Sequence, residues 1–101
     1  MQVHIATQKV ALTPASRGRV LDQITSMFQR FAARIEEIRV ELRDRNGRRG
    51  GGDKRVRIRV QLAGGVPVLV EEERASTRDA LRHATAKAAA AVRRALARPA
   101  E

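Results

Sequence analysis

The residues with the most to say about chemistry are the cations that crowd the C-terminal fifth of the chain. From Arg78 to Arg98 the segment carries Arg78, Arg82, His83, Lys87, Arg93, Arg94 and Arg98, with Asp79 as its only acid. If the segment is helical, positions 83, 87, 90, 94 and 98 share one side and Arg78, Arg82 and Arg93 run beside them. Guanidinium stays charged at any working pH and grips phosphate through two parallel N–H bonds, so such a ridge suits the backbone of a nucleic acid. A solvated face, with cations drawn to the negative end of the helix dipole, would look the same locally. Arg30, on the polar side of an earlier helical stretch, belongs to the same candidate set. A second cluster, Arg45, Arg48, Arg49, Lys54 and Arg55, occupies a glycine-rich stretch whose backbone N–H groups could wrap a phosphate. As a connection between two strands it could equally be a plain link. It lacks the GxxxxGK[ST] spacing of a nucleotide-hydrolysing loop.

Other chemistries find little support. The chain has no cysteine, and neither His4 nor His83 has a third metal ligand or a serine-acid partner at local spacing, so no catalytic residue, metal site or cofactor is expected. Phe28 and Phe31 are the only aromatics, and their spacing assigns them to a core rather than to a platform for stacking bases. Charge dominates instead: 21 Lys+Arg, of which 18 are Arg, stand against 11 Asp+Glu, a net +10 over 101 residues. That length suits a single domain, expected over residues 1–98 with a short tail at 99–101. The longest apolar tracts run to only about five residues, far short of the ~20 that span a bilayer. A cytoplasmic location is therefore expected, with no membrane partner and no small-molecule substrate.

The elements that must position these residues follow from hydrophobic periodicity. Residues 3–7 alternate as a short strand. Thr13 then offers an N-cap and Pro14 a first helical residue for a helix whose apolar stripe is Val20, Leu21, Ile24, Met27, Phe28 and Phe31. Gly18 within it costs about 1 kcal/mol relative to alanine, which only close approach by another backbone or by RNA would explain. From 35 to 43 the period drops to two, and it returns more strictly from Lys54 to Leu62, with Arg55, Arg57 and Arg59 facing away from Val56, Ile58 and Val60. Gly64-Gly65 turns the chain into a further strand over 66–72, where Pro67 marks a strand start or sheet edge. Ser76 with Asp79 resembles a capping box opening a last helix to about residue 97, stopped by Pro99. The order β-α-β-β-β-α predicts an α+β fold: a four-stranded mixed sheet with both helices on one face and the first two strands parallel if adjacent.

Met1-Gln2-Val3-His4-Ile5, Leu12-Thr13-Pro14-Ala15 with Arg17 and Val20, the Gly64-Gly65 hairpin, and Asp79-Ala80-Leu81 leading to Lys87 and Val92 resemble, in order and spacing, the ribosome hibernation promoting factor family. These are short ribosome-associated translation inhibitors, once called sigma-54 modulation proteins. The resemblance covers nearly the whole chain. It implies a fold like that of double-stranded RNA-binding domains, docking on 16S rRNA in the mRNA and tRNA channel of the 30S subunit, translation inhibition in resting or stressed cells, and neither catalysis nor a cofactor. Arg17 joins the candidate RNA contacts on this ground. The chain departs from the family pattern at Arg78, where an aromatic is common, and at Ala90 and Ser26, where a cation is common. The alternative is a protein-interaction or homodimerisation module that uses the uncovered sheet face; as an RNA-binding factor the chain is expected to be monomeric off the ribosome.

Overall fold

The computed structural model describes residues 1–44 and 54–97. Strand β1 (Gln2–Gln8) leads to helix α1 (Pro14–Phe28), a 3-10 helix (Gln29–Arg34), and strands β2 (Ile35–Asp44), β3 (Lys54–Leu62) and β4 (Val68–Arg74), then helix α2 (Thr77–Ala97). The sheet order is β1-β2-β3-β4, parallel between β1 and β2 and antiparallel elsewhere. The α+β architecture and the parallel first pair are as the periodicity predicts.

Each boundary has a local cause. At the start of α1 the Thr13 hydroxyl accepts from the Ser16 N–H at 3.0 Å, and Pro14 follows it, where a missing N–H costs nothing. At the start of α2 the Ser76 hydroxyl accepts from the Asp79 N–H at 3.1 Å. The Asp79 carboxylate turns forward to Arg82 at 3.3 Å, so the capping is one-sided. Gly64 adopts φ +69 in the β3–β4 turn, a conformation glycine takes without strain. Strand β4 begins two residues later than the alternation suggests, because Val66 and Pro67 remain outside the ladder and Pro67 has no N–H to contribute. It also runs two residues further, since Glu73 pairs with Arg55 and Arg74 with Lys54.

The core lies between the helix-covered sheet face and the two helices. Ile38, Val40, Leu42, Val56, Ile58 and Val60 meet Ile24 and Phe28 of α1 and Ala84, Ala88 and Val92 of α2. Each buried large aliphatic or aromatic side chain here contributes about 1.5–3 kcal/mol relative to exposure. The alanines of α2 allow its backbone to approach the sheet closely. Two expectations for α1 need correction. Met27 is 40% exposed rather than core, because it lies on the shoulder of the stripe formed by Val20, Ile24 and Phe28. Phe31 is only partly buried, because the chain tightens into 3-10 geometry at Gln29 and loses the 3.6-residue period.

Candidate nucleic-acid interface

Helix α2 buries Ala80, Leu81, Ala84, Thr85, Ala88, Ala89 and Val92, and this leaves its other arc to solvent. On that arc, at about 100° per residue, Arg78, Arg82 and Arg93 form one row and His83, Lys87 and Arg94 a second, separated by Ala86 and Ala90. From Arg78 to Arg94 the ridge is roughly 24 Å long. The second row borders β4: Lys87 Nζ lies 3.4 Å from the Glu72 carboxylate and donates to the Glu71 carbonyl at 3.3 Å. The first row therefore flanks the side of α2 that turns towards α1.

The six basic residues are not equivalent. Arg82 pairs with Asp79, and His83 Nδ1 donates to the Asp79 carbonyl at 2.8 Å, which requires a proton on that nitrogen. Arg78, Arg93 and Arg94 are exposed, with no carboxylate partner among the described residues. On the α1 side, Arg17 donates to the Ile5 carbonyl of edge strand β1 at 3.1 Å, and the exposed Arg30 stacks its guanidinium 4.9 Å from the Phe31 ring centre. Arg19 and Arg34 are also exposed on this side, and sequence reasoning passed over both. Arg19 was findable, because its offset from Val20, Ile24 and Phe28 puts it on the solvent arc of α1; it bonds the Ser16 hydroxyl at 3.0 Å.

The second candidate cluster divides. Lys54 and Arg55 open strand β3, where Lys54 pairs with Asp44 at 3.0 Å and Arg55 with Glu73 at 3.3 Å. Arg45, Arg48, Arg49 and Arg98 lie outside the described residues, as do the tail at 99–101 and the domain boundary at 98. Asp44 and Lys54 pair beside Arg74, so these ends of β2 and β3 lie at the end of the sheet where β4 hands over to α2.

The uncovered sheet face carries Arg39, Arg43, Arg55, Arg57 and Arg59 against Glu37, Glu41, Glu71 and Glu73. Arg57 spans to Glu71 at 3.0 Å rather than to Glu41, which stands opposite it on β2. This near balance contrasts with the helical side, where α1 and α2 carry only Asp22 and Asp79 as acids. The triplet Glu71-Glu72-Glu73 splits by strand alternation: Glu71 and Glu73 serve the open face, and Glu72 serves Lys87 and, at 3.5 Å, Arg74. Among the described residues no cluster of metal-ligating side chains occurs, and no helix is long and apolar enough to cross a membrane.

A family model described as sigma 54 modulation protein / S30EA ribosomal protein matches residues 3–99. Among solved structures, the chain is similar to the Protein Y N-terminal domain of Thermus thermophilus, with 25% identity and a TM-score of 0.74 over 93% of this chain and 98% of that one. It is also similar to a ribosomal subunit interface protein from Coxiella burnetii, with a TM-score of 0.77 over 97% of this chain and all of that one. The identity there is 17%, so that likeness speaks for the fold alone. No curated protein sequence matches the chain.

Proposed function

The chain belongs to the sigma 54 modulation protein / S30EA ribosomal protein family, whose members are ribosome-associated factors rather than enzymes, and from that premise we propose that it is a hibernation factor that silences translation by docking on the small ribosomal subunit. In this reading residues 1–98 are one ribosome-binding domain, monomeric off the ribosome and cytoplasmic. Its helical side faces 16S rRNA in the channel that mRNA and tRNA would occupy. Arg78, Arg93 and Arg94 hold phosphates directly, Arg82, His83 and Lys87 contribute from positions already tethered to the fold, and Arg17 and Arg30 extend the surface onto α1. Arg45, Arg48, Arg49 and Arg98 are assigned to the same interface, with Lys54 and Arg55 at its margin.

One observation carries the proposal: the exposed arc of α2 presents two rows of basic side chains, five of them Arg or Lys, with a single acid of its own, on the side of the molecule away from the charge-balanced sheet. A solvated face needs no such excess. Phosphate contacts fix position without reading sequence, and a surface with no exposed aromatic ring on α2 fits that role. The test is co-sedimentation of the purified chain with 30S subunits at physiological salt, paired with a cell-free translation assay. Pelleting with loss of translation is expected. A chain that stays in the supernatant and leaves translation unaffected overturns the proposal.

A further inference from the structure

Among the described residues Arg30 is the one cation placed over an aromatic ring, its guanidinium carbon 4.9 Å from the centre of Phe31. Adjacent positions of a helix do not face each other, so the Arg30 side chain folds back to make this contact. No carboxylate of the described residues pairs with it, and α1 with the 3-10 helix carries Asp22 as its single acid. The ring is equally singular. The chain has two phenylalanines and no tyrosine or tryptophan, and Phe28 is fully buried, so Phe31 is the only aromatic ring with surface left to solvent. Met27, three positions before Arg30 and four before Phe31, is 40% exposed and sets a polarizable thioether on the same side.

We propose that Arg30 and Phe31 form a stacking site for one unpaired RNA base, an inference that rests on the ribosome-binding reading and gives one of its contacts a chemistry other than phosphate. A guanidinium is planar, and one lodged over a ring keeps its other face and its in-plane N–H groups for a ligand. Bases that have left a helix lie on arginine planes and aromatic rings alike, and each has a π-face to offer. The ring holds the plane in place before RNA arrives, so less side-chain freedom is lost on binding. A contact to phosphate alone needs none of this: Arg34, at the end of the same short helix, has the charge without the ring. A duplex presents no free base face, so the site selects an unpaired nucleotide, and purines with their larger π-surface over pyrimidines.

The probe is an end-labelled strand of about ten nucleotides, abasic throughout except for one central 2-aminopurine, titrated at low salt against the wholly abasic strand. The single base should tighten binding about fivefold or more, and its fluorescence should be quenched in the complex. Arg30→Lys keeps the charge but not the plane, and should abolish both effects while leaving affinity for the abasic strand unchanged. Phe31→Leu should reduce them, Arg34→Lys should alter neither, and thermal melts establish that each variant is folded. Equal affinity of the wild-type chain for the two strands overturns the inference, as does full quenching by the Arg30→Lys variant. Sedimentation with 30S subunits reports separately on the ribosome-binding reading. A chain that quenches the base but stays in the supernatant loses that reading alone, and one that pellets without distinguishing the two strands loses only the stacking site.

Discussion

Lys87 on α2 joins Glu72 on β4 at 3.4 Å and donates to the Glu71 carbonyl at 3.3 Å, so a cation of the solvent-facing ridge is also a clasp between the last helix and an edge strand. Arg17 makes the corresponding contact at the other edge, donating to the Ile5 carbonyl of β1. An edge strand presents backbone groups that invite pairing with another chain, and a charged side chain laid on the edge discourages it. Two residues proposed to meet RNA thus already have structural roles. Their charges are partly committed before any ribosome is encountered.

Removing the acid of that clasp separates the two roles. Glu72→Gln should lower stability by only about 0.5–1 kcal/mol, since Lys87 is largely exposed and such pairs are weakly stabilising. The same change frees both Lys87 and Arg74 from their shared carboxylate, leaves Lys87 its bond to the Glu71 carbonyl, and raises the net charge by one, so affinity for 30S subunits should rise modestly. Urea denaturation with sedimentation binding on one preparation checks both signs. Unchanged or weaker ribosome binding with normal folding would show that Lys87 is chiefly a structural residue.

Gly18 offers a cleaner case. It lies within α1, and a Cβ built there meets nothing within 4 Å, so close approach by the chain's own backbone is not the reason for a glycine. Gly18→Ala should therefore stabilise the fold by about 0.5–1 kcal/mol through helix propensity and a less disordered unfolded state. A midpoint shift in urea with unchanged slope is the expected readout. If the same variant binds 30S subunits less tightly while melting higher, close approach by RNA explains the glycine.

Where one chemical pattern repeats along the chain, the sequence was legible. The alternation of Val56, Ile58 and Val60 with Arg55, Arg57 and Arg59 was enough to give β3 both faces, and Thr13-Pro14 marked the start of α1 to the residue. Spacing within α2 also located its solvent arc. What could not be read was pairing between distant segments. Nothing near Lys87 in the chain announces Glu72, fifteen positions earlier, and nothing near Arg57 says that it will choose Glu71 over the Glu41 that also flanks it. Local periodicity also could not foresee the change from α to 3-10 pitch after Phe28, which moved Phe31 partly out of the core. Tertiary contacts decided the two pairings.

The electrostatic reading of the helical side has a quantitative consequence. With about five phosphates neutralised, the slope of log affinity against log salt should lie near −3.5 for a single strand and −4.5 for a duplex. Titrating labelled protein with 30S subunits across a salt series measures it directly. A slope near zero would mean that binding rests on contacts other than phosphate, and the cationic ridge would lose its assigned role.

Position must matter beyond total charge. Arg93 and Arg94 are exposed near the end of α2 with no described carboxylate partner, so Arg93→Glu with Arg94→Glu removes two cations without breaking an ion pair on the fold. Acids there oppose the helix dipole and should cost about 1 kcal/mol or less in stability. Sedimentation with 30S subunits should be lost or weakened by tenfold or more, about 1.4 kcal/mol or greater. Arg39→Glu with Arg59→Glu on the opposite face changes the net charge by the same amount and should weaken ribosome binding far less. Equal losses in the two double variants would reduce the interaction to net charge alone. Retained binding by the Arg93/Arg94 variant would return the end of α2 to an ordinary solvated surface.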